Sequence, residues 1–272
     1  MLRKSAYAGS FYDASPDMLR KQFDKWFSQA ELPANPDKVY GVICPHAGYI
    51  YSGACASYSY KLLSQYNFKT AIIIHPSHRG NHFGSSISPF AEYQTPLGNL
   101  HIDTQLAEIL SDRGFTAIDS SYHQNEHSME VQLPFLAYIN PDIKVLPIMI
   151  GNQNDAVSLQ LAEILAEVMR DRQDETVIIV STDLSHYHSA KEAERMDNKL
   201  IEYVLNSNPE ELYDNIVRGK IEACGFAGVL SLLYLAKLPP EMKPVKLNYT
   251  HSGYASKDFE QVVGYFSAAL IS

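Results

Sequence analysis

The stretch Ala71-Ile72-Ile73-Ile74 determines the fold class, because it is an uninterrupted apolar run, rich in β-branched residues and too short for a helix. Such a run is typical of a strand that is covered on both faces, as in a parallel sheet. Val177-Ile178-Ile179-Val180 has the same character, and residues 39–44 form a third short run of strand-favouring residues. These runs predict buried strands of an α/β protein.

Helical patterns separate the strand-like runs. The predicted helices begin at Ser15-Pro16 and cover residues 54–65, 103–112, 159–169, 191–205, 209–217 and 227–236. Further strands are expected at residues 145–150, where Pro147 favours an edge or bulged strand, and at 245–249 and 262–270. This alternation predicts a three-layer α/β/α sandwich with a mostly parallel, mixed central sheet, and residues 1–272 as one domain.

The composition is that of an ordinary globular protein, with 46% hydrophobic and 19% charged residues. The net charge of -9 argues against general binding to nucleic acid or an anionic membrane, because such binders gather Lys and Arg into a basic surface. No apolar stretch is long enough to span a bilayer, and no apolar segment follows the first residues. We therefore expect a cytoplasmic protein. Three cysteines without CxxC spacing make a disulfide framework improbable.

Histidines follow three of the predicted strands. His46, His78 and His186 each come just after a strand end, and the carboxyl edge of an open α/β sheet is where ligands bind. A single histidine there is usually a hydrogen-bonded structural residue, whereas three at equivalent positions favour a shared pocket. His75 directly ends its apolar run, which favours a structural role. Cys224 precedes an apolar helix, whose N-terminus would favour a thiolate and metal ligation.

Other candidate residues have weaker patterns. Cys44 and Cys55 are expected in the core. The segment Glu126-His127-Ser128-Met129-Glu130 is either a helix with an acidic first turn or a source of carboxylate and imidazole groups that orient the pocket's ligands.

These motifs, in order, resemble those of one family. Pro45-His46-Ala47-Gly48-Tyr49, Pro76-Ser77-His78, residues 126–130, the stretch from Ser181 to His186, and Cys224-Gly225 are similar to the motifs of the Memo family, also called AmmeMemoRadiSam system protein B. The likeness covers nearly the whole chain. Two positions depart from the family's usual pattern: His75 stands where a glycine is usual, and residues 226–228 lack the usual proline. Neither departure removes a candidate ligand.

The resemblance implies a fold similar to that of LigB-type class III extradiol dioxygenases, which are non-haem iron enzymes. It implies His46, His78 and Cys224 as metal ligands, with Asp183 and His186 beside them, His186 taking the place of an acid/base histidine. It also implies radical-SAM and AMMECR-type proteins as partners. A thiolate is a softer ligand than the carboxylate it replaces, so Cu or Zn are alternatives to Fe(II).

Three functions are compatible with these residues. The leading hypothesis is a redox-related iron protein. If it is an enzyme, it is a dioxygenase-like oxidoreductase, in which His186 moves protons and Asp183 positions His186. The second is a non-catalytic module that binds a peptide, such as a phosphorylated one, or sequesters metal. The third is a metal-assisted hydrolase, which would use Zn²⁺ with a water ligand. The ligand or substrate is expected to be a small molecule or a peptide.

Overall fold

The computed structural model describes residues 1–33, 36–115, 118–239 and 241–272. The strands in these ranges are β1 (Leu2–Arg3), β2 (Val39–Cys44), β3 (Thr70–Pro76), β4 (Ser85–Ile87), β5 (Glu92–Thr95), β6 (Gly98–His101), β7 (Lys144–Ile150), β8 (Thr176–Ser181), β9 (His186–His188), β10 (Lys243–His251) and β11 (Val262–Ile271).

The helices are α1 (Pro16–Gln29), α2 (Tyr49–Leu63), α3 (Thr104–Asp112), α4 (Ser120–Gln124), α5 (His127–Glu130), α6 (Leu133–Ile139), α7 (Asp155–Arg172), α8 (Ala190–Leu205), α9 (Pro209–Val217), α10 (Phe226–Ala236) and α11 (Gly253–Ser256). None of the helices in the described part of the chain is both long and apolar enough to cross a membrane.

A mixed sheet forms the middle layer, with strand order β10-β11-β2-β8-β3-β7-β4. Its four central strands, β2, β8, β3 and β7, run parallel, while β4, β10 and β11 pair antiparallel with their neighbours. On one face of the sheet, helix α2 packs on β2, β10 and β11, and α1 and α6 pack against α2. Helix α10 packs on β3 and β8, and α7 packs against α10. This arrangement confirms the predicted three-layer α/β sandwich.

The core lies along the central strands, where every residue of β2, β3 and β8 is buried. Each fully buried Val or Ile side chain contributes about 1.5–3 kcal/mol through removal of apolar surface from water. This explains why the apolar runs are the strongest fold signal in the sequence.

Helix starts follow local capping chemistry. Ser15 and Asn154 cap α1 and α7, each accepting a hydrogen bond from a backbone N–H of the first turn. Helix α7 therefore begins before Leu159, the predicted start. Helix α2 begins at Tyr49 rather than at residue 54, and its cap residue, Gly48, has no side chain that would signal the start.

The expectation that Pro147 places its strand at a sheet edge is wrong. Strand β7 lies between β3 and β4, and β4 forms the edge. Strand β4 pairs only with residues Ile148 to Ile150 of β7, so Pro147 lies just outside that pairing. The missing N–H of the proline is tolerated because no β4 residue stands opposite it.

Candidate metal centre

The ends of two parallel strands bring His46 and His78 to one edge of the sheet. In the register, Cys44 of β2 stands opposite Ser181 of β8, and Ile74 of β3 stands opposite Val180 of β8. His46 and His78 each lie two residues beyond their strand, so their side chains leave the sheet at the same edge. Their rings are 5.3 Å apart between centroids.

The ring of His46 is held by Ser181. Its Nδ1 lies 2.9 Å from Ser181 Oγ, and that hydroxyl donates its proton to the backbone carbonyl of Ser128 at 2.6 Å. Since the hydroxyl proton is engaged there, His46 Nδ1 must carry a proton and donate to Ser181. The Nε2 atom of His46 is therefore left with a free lone pair, which is the form that binds metal.

The ring of His78 is held by Glu126 in the same way. Its Nδ1 lies 2.8 Å from Glu126 Oε1, while the other carboxylate oxygen accepts from the backbone N–H of His78 at 2.7 Å. Burial raises the pKa of Glu126, but the hydrogen bonds and charge of His78 outweigh burial and hold that pKa well below its usual value. An ionised Glu126 makes His78 Nδ1 the donor, so Nε2 of the neutral ring presents its lone pair.

Cys224 reaches this edge from a distant loop between α9 and α10. Its backbone N–H donates to Asp183 O at 3.2 Å, and Gly225 N donates to Thr182 Oγ1 at 2.9 Å. A Cβ at position 225 would lie 2.4 Å from the carbonyl oxygen of Ser181, so only glycine allows this approach. The loop is thereby fixed against the end of β8.

The ligand atoms of His46, His78 and Cys224 all lie within 4.8 Å of one another. Cys224 Sγ is 3.1 Å from His46 Nε2 and accepts from the backbone N–H of Asp183 at 3.2 Å. Metal–nitrogen and metal–sulfur bonds are about 2.0–2.1 and 2.3 Å long, so these atoms can share one ion. With both Nε2 lone pairs free, the donor set fits a metal such as iron, zinc or Cu(I).

Burial is the largest influence on the pKa values of His46 and Cys224. It lowers the pKa of His46, and the neighbouring His78 and His127 lower it further. Burial also raises the pKa of the Cys224 thiol, as does the charge of Asp183. The expected thiolate therefore does not arise from the start of α10 alone. A bound cation would supply the charge that favours both the neutral imidazole and the thiolate.

Asp183 and His186 lie beside this cluster, on the loop after β8. The Asp183 carboxylate accepts from the backbone N–H of His46 at 2.7 Å, and this contact supports the His46 loop rather than the ring of His186. Burial raises the pKa of Asp183 to about 7, although hydrogen bonds from the His46 and Ala47 backbones oppose this. His186 is half-buried, and burial lowers the pKa of its ring.

His127 is a further imidazole in the site. Its ring lies against that of His78, with centroids 4.4 Å apart, and its Nδ1 is 3.4 Å from Glu126 Oε1. Burial and His78 lower the pKa of His127 to about 4. His78, Glu126 and His127 also form a compact group of possible ligand atoms, but this group shares His78 with the first and flanks the same centre.

His75 stays apart from the candidate ligands, as its position in the sequence predicts. It is buried, and its Nδ1 lies 3.0 Å from Ser128 Oγ. Among the described residues, no candidate ligand group includes it. Cys44 and Cys55 are both buried in the core, also as predicted.

The sequence did not single out the residues that orient the ligands through hydroxyl and amide groups. Ser181 stands out only as part of a motif, and no pattern in the sequence marks Gln132, which donates to Ser181 Oγ at 2.9 Å. Serine and glutamine are common and adopt many roles, so only their contacts reveal this one.

A cleft of about 400 Å³ adjoins the cluster, and both Asp183 and His186 line it. The structure is thus a three-layer α/β protein with two imidazoles, a thiol and an adjoining cleft at the carboxyl edge of its sheet. The chain belongs to the family described as Memo-like protein, whose model matches residues 3–269.

Relatives of similar length have comparable sequences. A MEMO1 family protein of Methanosarcina barkeri is 35% identical over 272 residues, covering 99% of each chain. One of Thermotoga petrophila is 35% identical over 283 residues, covering 99% of this chain and 100% of the relative. An uncharacterised Escherichia coli K12 protein of known crystal structure has a similar fold, with a TM-score of 0.50, 13% identity, and coverage of 86% of this chain and 100% of its own.

Proposed function

We propose that this protein binds one redox-active metal ion, most suitably iron, through His46, His78 and Cys224, and acts as an oxidoreductase on a ligand held in the adjoining cleft. The observation that carries the proposal is the convergence of the three ligand atoms within 4.8 Å, with both imidazoles fixed by hydrogen bonds that leave Nε2 free. Three protein ligands leave further coordination positions for a substrate.

The metal would supply Lewis acidity and a change of oxidation state. The surrounding residues supply the rest. His186 and His127 line the cleft and can donate or accept a proton from a bound ligand, while Asp183 holds the backbone of His46 in place. The dioxygenase-like reaction in this proposal rests on the motif resemblance, which implies a fold similar to that of LigB-type dioxygenases.

Elemental analysis of freshly purified protein tests the proposal. Wild type handled without oxygen is expected to contain about one equivalent of iron, and His46→Ala is expected to lose most of it, because one of three ligands is removed. The matched control is His101→Ala, since His101 is exposed on β6 and away from the site.

The outcomes separate the candidate functions. Stoichiometric zinc instead of iron would favour a metal-assisted hydrolase. Equal metal content in wild type and His46→Ala would refute the ligand set.

A further inference from the structure

Glu130 lies at the centre of a buried hydrogen-bond network. Its side chain is fully buried and accepts from four donors: Arg3 Nη1 at 2.7 Å, the backbone N–H groups of Ala6 and Tyr7 at 3.0 and 2.8 Å, and the Tyr12 hydroxyl at 2.7 Å. All of these donors belong to one stretch near the start of the chain. The carboxylate therefore anchors that stretch to α5.

Arg3 joins this network to the turn between α4 and α5. Besides its ion pair with Glu130, its Nε donates to the carbonyl of His123 at 2.8 Å, and its Nη2 donates to the carbonyl of Glu126 at 3.0 Å. One planar guanidinium thus holds a carboxylate and two backbone carbonyls, an arrangement that the single ammonium group of a lysine does not reproduce. The turn is fixed at both of its ends.

Glu126 transmits this restraint to His78. The residue whose carbonyl Arg3 holds is also the one whose carboxylate accepts from Nδ1 and from the backbone N–H of His78. Its Oε1 accepts in addition from the backbone N–H of Ser128 at 3.0 Å, so the side chain and the backbone of Glu126 are fixed together. A continuous series of contacts therefore connects Arg3 to the ring of a candidate metal ligand.

Stability alone does not account for a charge pair at this depth. Both side chains of the Arg3–Glu130 pair are 0% exposed. The attraction between two buried charges is offset by the cost of removing both from water, and packed apolar residues often stabilise a fold equally well. Such a pair can instead specify the arrangement of the groups bonded to it. The group that matters here is the backbone of Glu126.

We propose that Arg3 and Glu130 are positioning residues of the candidate metal centre. Their ion pair holds the turn that carries Glu126 and thereby keeps the proton of His78 on Nδ1, so that Nε2 faces the metal position with its lone pair. The inference rests on the proposed function, because it concerns the same centre. It adds the first strand, β1, to the parts of the chain on which that centre depends.

Arg3→Lys tests the proposal, because lysine keeps a positive charge beside Glu130 but cannot also donate to both carbonyls. Competition with a chromophoric chelator measures the affinity for Co²⁺, a coloured substitute for iron or zinc. This affinity is expected to fall about tenfold, at the lower end of the effect of groups that orient ligands.

NMR of metal-free protein with ¹⁵N-labelled histidine gives a second measurement. In wild type, His78 is expected to carry its proton on Nδ1 alone, and in Arg3→Lys on a mixture of both nitrogens. The matched control for both measurements is Arg172→Lys. Arg172 bonds Asp103, which accepts from Thr70 at the start of β3, the end opposite to the metal centre. The control should match wild type in Co²⁺ affinity and in the His78 tautomer.

A double variant separates positioning from folding. Glu130→Gln alone leaves the buried cation of Arg3 unpaired and is expected to lower stability in urea strongly. Adding Arg3→Met removes that cation, so the double variant should recover stability relative to Glu130→Gln. Its Co²⁺ affinity should stay low and its His78 tautomers mixed, because the carbonyl of Glu126 has still lost its donor.

The outcomes are distinct. Recovery of Co²⁺ affinity together with stability in the double variant would overturn the proposal, as would a single His78 tautomer and wild-type affinity in Arg3→Lys, or equal losses in Arg172→Lys. Absence of Co²⁺ binding in wild type would refute the proposed metal function instead. The tautomer of His78 in the metal-free variants would then decide the role of Arg3 and Glu130 by itself.

Discussion

The Sγ atom of Cys224 lies 3.1 Å from Nε2 of His46, although 178 positions separate the two residues in the chain. The contact exists because the loop before α10 is anchored to the end of β8, where Gly225 N donates to Thr182 Oγ1. The thiol is therefore the third member of the candidate ligand set, whose two imidazoles follow the ends of β2 and β3.

Cys224→Ser is expected to lower metal affinity by at least about 100-fold, because the loss of a direct ligand exceeds the 10- to 100-fold effect of changing groups that only orient ligands. Competition with a chromophoric chelator measures this. Cys55→Ser is the control, since Cys55 is a buried cysteine whose Sγ contacts Ser267 Oγ, away from the cluster. Equal losses in both variants would indicate a general effect on folding.

Ser181→Ala is expected to lower metal affinity about 10- to 100-fold while leaving all three ligands in place. The change removes the acceptor that keeps the proton on His46 Nδ1, so the ring is free to protonate Nε2 and turn away. Ser158→Ala removes a buried hydroxyl of α7 that donates to the carbonyl of Asn154, the cap residue of the same helix, and is the matched control. An unchanged affinity in Ser181→Ala would mean that other contacts suffice to orient the ring.

The strands that build the site were predictable from the sequence, because their residues are buried on both faces and therefore form continuous apolar runs. Most of the short elements were not predicted. Strand β9 and helices α4 and α6 have three to seven residues each, too few for a periodic pattern to appear, whereas a helix at residues 126–130, where α5 lies, was one of two interpretations.

The site was predictable to different degrees at different residues. Histidines after parallel strands must leave the sheet at one edge, which is why His46 and His78 could be paired in advance. The approach of Cys224 depends on the absence of a side chain at Gly225 beside the Ser181 carbonyl, a contact across 44 positions that no local pattern encodes. The motif resemblance, rather than spacing, brought it into the predicted set.

Gly225→Ala is expected to destabilise the protein by about 1–3 kcal/mol and to weaken metal binding as well. A Cβ there would stand 2.4 Å from Ser181 O and 2.9 Å from Thr182 Cβ, so the loop that carries Cys224 must move. Gly84→Ala is the control, because its Cβ would meet its nearest neighbour at an ordinary 3.9 Å. Urea unfolding and chelator competition on both variants measure the two effects. A loss of stability with full metal affinity would show that the loop moves without displacing the thiol.

Asp103 provides a test of stability against pH away from the metal site. Its carboxylate accepts from Thr70 Oγ1 at 2.7 Å and from the Leu106 backbone N–H at 3.0 Å, and it lies 3.1 Å from Arg172 Nη1. Burial raises the pKa of Asp103, but these contacts outweigh burial and leave the pKa below its ordinary value. A folded-state pKa below the unfolded one means that ionised Asp103 stabilises the fold.

The stabilisation is complete above the unfolded pKa of about 3.9 and is lost as the pH falls through the lower folded value. Asp103→Asn removes the charge but keeps a good N-cap for α3. Wild type should therefore exceed Asp103→Asn in free energy of unfolding by about 1 kcal/mol at pH 7, and the difference should shrink towards pH 3. Urea denaturation at pH 7, 5 and 3 measures it, with Asp174→Asn as the control, since Asp174 pairs with Lys38 in solvent. A difference that widens as the pH falls would contradict the inferred sign, because it would require Asp103 to take up its proton more readily in the folded chain.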